Sequence, residues 1–222
     1  MELAERLHAV RTRIERAVER SRRTPSDVTL VAVTKTVAPA DMEQAFRLGV
    51  RHFGENRVQE AEQKLPVLAY LRSRTTWHLV GHLQTNKVKK ALALFDMVHG
   101  VDSIHLAQEI SRRATRPVPV LLEVNVAGEA SKFGFRPEDL PQAAQAVARL
   151  SNFDLRGLMT VAPLTGDPES ARPVFRRLRE LRDALGLHDL SMGMSDDFET
   201  AIEEGATLVR IGRAIFGERL PA

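Results

Sequence analysis

Six lysines stand against 26 arginines in this 222-residue chain, and two of the six lie where chemistry could use them. Lys35 ends the run VTLVAVTK (28 to 35), and Lys132 lies in the loop AGEASKFGF (127 to 135). Lys64, Lys87, Lys89 and Lys90 fall in stretches with helical periodicity. A buried strand that ends in an ammonium must solvate, pair or use the charge. An unreactive lysine there would snorkel into water. A reactive one would attack a carbonyl carbon and form a Schiff base. Lys35 is the better placed of the two, because a strand holds a side chain more rigidly than a loop does.

Two further stretches suit an anion. SMGMSDDFETAI (191 to 202) runs from apolar residues through a glycine to Ser195, which opens a helix. Ser195 is a good N-cap, and the same position presents unpaired N–H groups to a negative ligand. VRIGRAIFG (209 to 217) places Arg210 two residues before Gly212. The glycine permits close backbone approach, and an arginine fork supplies charge-assisted hydrogen bonds. Asp196 and Asp197 would repel an anion unless they face solvent or the helix N-terminus. A phosphate corner together with a reactive lysine suits a phosphorylated aldehyde, and pyridoxal 5'-phosphate is the obvious one.

The elements that must position these groups alternate along the chain. Candidate strands are 28–35, 52–56, 77–81, 97–101, 118–126, 155–159, 190–194 and 207–212. Helical patterns fill 39–48, 57–72, 86–95, 103–115, 137–149, 168–185 and 196–204, with Asp102 or Ser103 as a cap and Pro137 in a first turn. Alternation of this kind implies parallel pairing, and eight units fit an α/β fold, a single (β/α)8 TIM-type barrel over residues 1–222. An open doubly wound sheet is the runner-up. An extra N-terminal helix over 1–22 carries Leu3, Leu7, Val10, Ile14 and Val18 on one face, and its glutamates argue against a transit peptide. Barrel enzymes build sites where strands end at their C-terminal rim, and the strand ends here gather Lys35, Glu55, Asn56, Asp102, Ser195 and Arg210.

Composition narrows the function classes. The chain has no cysteine, which excludes disulfides and thiolate catalysis. No apolar run approaches the roughly 20 residues that span a bilayer. The net charge is only +3 despite a pI near 9.6, so the surface is mixed rather than a nucleic-acid stripe. The arginines of RPVFRRLRELR (172 to 182) read as the wet side of an amphipathic helix. We expect a cytoplasmic monomer with no membrane or nucleic-acid partner.

AVTKT (32 to 36), FGENRVQE (53 to 60), WHLVGHLQTNK (77 to 87), GLMTVAP (157 to 163), SMGMSDDFETAI and VRIGRAIFG occur in order at matching spacing. Together they resemble the pyridoxal phosphate homeostasis protein family, over almost the whole chain. The resemblance implies a barrel like the N-terminal domain of alanine racemase. It implies that Lys35 forms the internal aldimine with pyridoxal phosphate, that Ser195, Arg210 and Gly212 take the phosphate, and that Asn56 lies beside the cofactor. It further implies a carrier or buffer of the cofactor in vitamin B6 balance, with recipient apoenzymes as partners, and no clear catalytic reaction.

Two enzymatic readings compete. An amino-acid racemase needs an acid/base on each face of the substrate imine. Tyr70, the one tyrosine, falls in a helical stretch away from the rim, and the chain ends straight after the eighth unit. His78 or His82 would have to replace it. A Schiff-base aldolase would use the same lysine and phosphate corner, with Glu55 or Asp102 as general acid. Glu123 and Asn125 share one side of a strand and could orient Lys35, or be satisfied polar core. Trp77 and Phe53 read as core.

Overall fold

Runs of Val, Leu and Ala in strands shielded on both faces alternate with amphipathic helices, and such a pattern favours parallel pairing with crossover helices. In the computed structural model, which describes residues 2–129, 132–163 and 166–218, the strands pair in sequence order and close into a barrel. They are β1 (Thr29–Val33), β2 (His52–Glu55), β3 (Thr76–Leu79), β4 (Met97–Val101), β5 (Val118–Glu123), β6 (Phe153–Met159), β7 (Asp189–Ser191) and β8 (Leu208–Ile211). The seam closes where Val31 pairs with Arg210 and Ala32 with Ile211, both in parallel register.

Around the barrel run α1 (Leu3–Arg20), α2 (Pro39–Arg47), α3 (Val58–Val67), α4 (Val88–Leu94), α5 (Ile104–Arg113), α6 (Leu140–Val147), α7 (Arg172–Ala184), α8 (Phe198–Glu203) and α9 (Arg213–Phe216). The expected N-terminal helix is α1. Its stripe of Leu3, Leu7, Val10, Ile14, Ala17 and Val18 is buried. Arg13 bonds Glu199 and Arg20 bonds Glu203, each at 2.6 Å, while Arg6 Nε donates to the Ile215 carbonyl at 2.7 Å. These contacts dock α1 beside the β7/β8 corner.

Strand alternation divides the apolar residues into two layers. Phe53, Trp77, Leu79, Val120, Leu158 and Ile211 pack outward beneath the helices. Val31, Val80, Met97, Leu121, Met159 and Leu208 fill the barrel itself.

Several boundaries differ from the sequence expectation, each for a local reason. β1 stops at Val33 because Thr34 to Val37 form a turn, closed by Val37 N–H to the Thr34 carbonyl at 2.9 Å. Lys35 therefore sits in that turn, two residues beyond the strand. The helix expected from 57 to 72 gives way after Val67, just past Pro66, to a 3-10 segment at Ala69–Arg74. Pro137 lies in a turn ahead of α6, and Ser103 rather than Asp102 caps α5.

Candidate functional site

The turn that carries Lys35 is held from outside the barrel. Thr36 adopts a left-handed φ of 61°, uncommon for a β-branched residue. Its N–H donates to Glu60 Oε2 on α3 at 2.9 Å, and its hydroxyl to the Lys35 carbonyl at 2.7 Å. The preceding carbonyl, of Thr34, accepts from the buried Lys64 ammonium at 2.6 Å. Lys64 also donates to Glu55 Oε1 at 2.8 Å, and Thr34 Oγ1 donates to the same oxygen at 2.6 Å. Glu55 thus lies within the packing between β2 and α3, its pKa raised by burial against the pull of Lys64. That placement removes it as a rim acid for an aldolase.

Lys35 and Asn56 line one cavity of ≈ 390 Å³ at the C-terminal rim, with Gly81, His82 and Lys87. Among the described residues the Lys35 ammonium has no hydrogen-bonding or ionic partner. Asn56 Oδ1 is buried and also lacks one. A buried amide oxygen left without a donor is uncommon in a folded chain and points to a missing partner. Gly81 makes this wall possible: a Cβ there would stand 2.4 Å from the Asn56 carbonyl oxygen. Lys132 is engaged instead, with Glu129 at 2.6 Å and the Val161 carbonyl at 3.3 Å. Lys87, set aside in the sequence as helical, reaches the cavity from a 3-10 turn at Thr85–Lys87.

Ser195, Arg210 and Gly212 form a second group, at the β7/β8 corner and across the seam from β1. The Ser195 hydroxyl accepts from Ala214 N–H at 3.2 Å, just past Gly212. Asp196 pairs with Arg213. Asp197 accepts the Met194 N–H at 2.6 Å, so neither carboxylate is left facing the corner unpartnered. Arg210 points into the barrel. Its guanidinium donates to Ser191 Oγ at 2.6 Å and to the Thr160 carbonyl at 2.8 Å. Burial pulls its pKa down to about 10, against Glu123 and Asp197, so it remains a cation at neutral pH.

From Arg210 a file of polar side chains, which no single sequence motif joins, crosses the barrel. Ser191 Oγ lies 2.8 Å from His99 Nδ1, His99 Nε2 2.9 Å from His78 Nδ1, and His78 Nε2 3.0 Å from His52 Nδ1. Arginine can only donate, so Ser191 accepts from it and turns its own proton to His99 Nδ1, the acceptor within reach. Each ring then accepts at Nδ1 and donates at Nε2, which leaves His52 neutral with its proton on Nε2. Burial holds His78 down to about pKa 3 and His99 well below the usual range, consistent with neutral rings.

Other rim groups are His82, 2.9 Å from Asp102 and stacked on Phe133 at 4.1 Å, and Glu123, whose pKa is raised by burial and then by Asp102. Neither Glu123 nor Asn125 bonds Lys35. Asn125 Nδ2 instead donates to the Glu129 carbonyl at 2.8 Å and the Lys132 carbonyl at 3.4 Å. Tyr70 is 58% exposed in the 3-10 segment after α3, where it faces Glu43 of α2. Trp77 and Phe53 are fully buried core.

A family profile described as "Alanine racemase, N-terminal domain" matches residues 6–220. Curated relatives named "Pyridoxal phosphate homeostasis protein" are 45% identical in Aquifex aeolicus, over 99% of both chains, and 46% identical in Pseudomonas aeruginosa, over 98% of this chain and 96% of that one. The chain belongs to the pyridoxal phosphate homeostasis protein family. The structure of PipY from Synechococcus elongatus with pyridoxal phosphate bound is similar at a TM-score of 0.85 and 37% identity, over 97% of this chain and 100% of that one. Alanine racemase from Clostridium difficile shares the fold at a TM-score of 0.73 and 14% identity, and this chain covers 57% of it.

Proposed function

We propose that this protein binds pyridoxal 5'-phosphate as a Schiff base at Lys35 and serves as a carrier or buffer of the cofactor. One observation carries the reading. Lys35 presents an ammonium with no protein partner, in the same rim cavity as the orphaned Asn56 Oδ1. The residues fit the cofactor: a nucleophilic amine, a polar wall at Asn56, and an anion corner at Ser195 and Gly212 with the Arg210 cation set beneath. The cofactor supplies an electrophilic aldehyde and a conjugated ring. The chain supplies position, with Lys64 and Glu60 fixing the turn and Ser191 and Thr160 fixing Arg210. Family membership and the PipY complex with pyridoxal phosphate support the assignment. Delivery to recipient apoenzymes by a cytoplasmic monomer completes the proposal.

The experiment is pyridoxal phosphate titration of wild type and Lys35→Ala. The wild type should develop a saturable visible absorption band that the variant lacks. A band of full intensity in Lys35→Ala would move the bond to Lys87 or Lys132.

A racemase reading is favoured only by the His82–Asp102 pair at the cavity, which could serve the second face of a substrate. Exchange of the alanine Cα proton into deuterated water, abolished by His82→Gln, would establish it. We favour the carrier because Tyr70 lies outside the rim and His78 is locked in the buried file.

A further inference from the structure

At the opposite end of the barrel, where the strands begin, lies a funnel of ≈ 1080 Å³ that the activity above does not use. Thr29, His52 and Thr76 form part of its floor, and Arg23, Arg116 and Arg182 reach it from the surrounding loops and α7. Four carboxylates also line it, and each is already engaged. Asp96 accepts from Arg72 at 2.5 and 2.7 Å and from Trp77 N–H at 2.8 Å. Glu203 is held by Arg20 and Arg172, at 2.6 and 2.7 Å. Asp189 lies 2.8 Å from His188 and 3.5 Å from Arg156, and Asp27 accepts from Thr24 N–H at 2.9 Å.

The cations are not matched in the same way. Arg23 donates to the carbonyls of Ile202, Ala206 and Asp27, at 3.2, 2.8 and 2.9 Å, and to no carboxylate. Arg182 has the exposed Asp183 at 2.6 Å, and its other contact is the His188 carbonyl. Arg116 has no partner among the described residues. Burial lowers the Arg23 pKa, Asp27 opposes, and the neighbouring Arg182 guanidinium lowers it further. Crowded guanidinium groups of this kind are relieved by an anion that takes several N–H donors at once. The floor agrees in sign, because the polarity of the histidine file leaves His52 with an Nε2–H donor that has no partner among the described residues.

We propose that the funnel is a second binding site, for a phosphate dianion group, free or as a small ester. Arg23, Arg116 and Arg182 bind the oxygens, and His52 Nε2–H donates from the floor. This site stands apart from the rim and does not depend on cofactor binding there.

The test titrates the full chain, carrying 15N-labelled histidine, with inorganic phosphate and in parallel with glycerol 2-phosphate, at neutral pH and constant ionic strength. The His52 ring signal, assigned by its loss in His52→Gln, should shift saturably with at least one of the two. Which one binds more tightly tells a free-ion site from an ester site. Arg116→Glu should weaken the affinity by roughly tenfold or more. Arg16→Glu, the same charge change on the exposed face of α1, should leave it unaltered. Both substituted residues are exposed, so folding is preserved. A shift that never saturates with either probe, or that is unchanged by Arg116→Glu, or that is weakened equally by both substitutions, overturns the proposal.

Discussion

Lys64 Nζ stands 2.8 Å from Glu55 Oε1 and 2.6 Å from the carbonyl of Thr34, the residue that precedes Lys35. One buried ammonium therefore fixes the turn that presents a second one to the rim cavity. Breaking a buried pair by removing one partner leaves the other charge uncompensated.

Lys64→Met should accordingly lower stability by about 3–5 kcal/mol, measured by urea unfolding. Glu55 is fully buried and Lys64 nearly so, which places the pair in the strong regime. The same variant should hold pyridoxal phosphate less tightly, because the Lys35 turn loses its anchor. A loss below about 1 kcal/mol would show that the pair behaves like an exposed one.

Ser191→Ala removes an acceptor from the buried Arg210 and the donor to His99 Nδ1 together. Leaving buried polar groups unsatisfied costs about 1–3 kcal/mol each, so the melting temperature should fall and cofactor retention should weaken. Ser191→Thr, which keeps the hydroxyl, should recover most of both. Equal defects in the two variants would point to packing rather than the hydrogen bonds.

The histidine file predicts acid sensitivity. His78 has a folded pKa of about 3 and His99 lies well below its ordinary value, so both stay neutral while the unfolded chain protonates them near ~6.5. The unfolded state binds more protons over that window, so stability falls as pH drops below about 6.5, by about 1.4 kcal/mol per unit for each ring. His52, also lowered by burial, adds in the same sense. Glu55, Glu123 and Asp197 are raised by burial and act oppositely as pH falls through their folded values. Urea midpoints should therefore decline as pH falls from about 7 toward about 5, the range in which histidines of the unfolded chain protonate. A flat profile there would contradict neutral, buried rings.

The barrel was legible because its apolar runs and amphipathic helices recur eight times, and β4 matches its expected span residue for residue. Lys35 and Asn56 share a rim cavity, as polar residues at apolar strand ends suggested, whereas Ser195 does not cap the helix it was expected to open: Asp197 is the N-cap of α8, and the Ser195 hydroxyl turns to Ala214 N–H. The file was not legible. His52, His78, His99 and Ser191 are separated by 26, 21 and 92 residues, and only barrel closure brings them into a line. Their signal was a polar residue set in each strand run, which resembles an ordinary core histidine or serine. Lys64 was hidden because a lysine in an amphipathic helix reads as solvated, while its burial depends on an acceptor, Glu55, that sits on another element. Arg210 was read toward the rim, but strand alternation at β8 turns it inward beside Ser191.

The central claim is that Lys35 holds the cofactor, and borohydride reduction of the protein loaded with pyridoxal phosphate tests it most directly. Peptide mass mapping should place the phosphopyridoxyl adduct on the peptide containing Lys35, with the peptides of Lys87 and Lys132 unmodified. An adduct on either of those, with Lys35 untouched, would contradict the account.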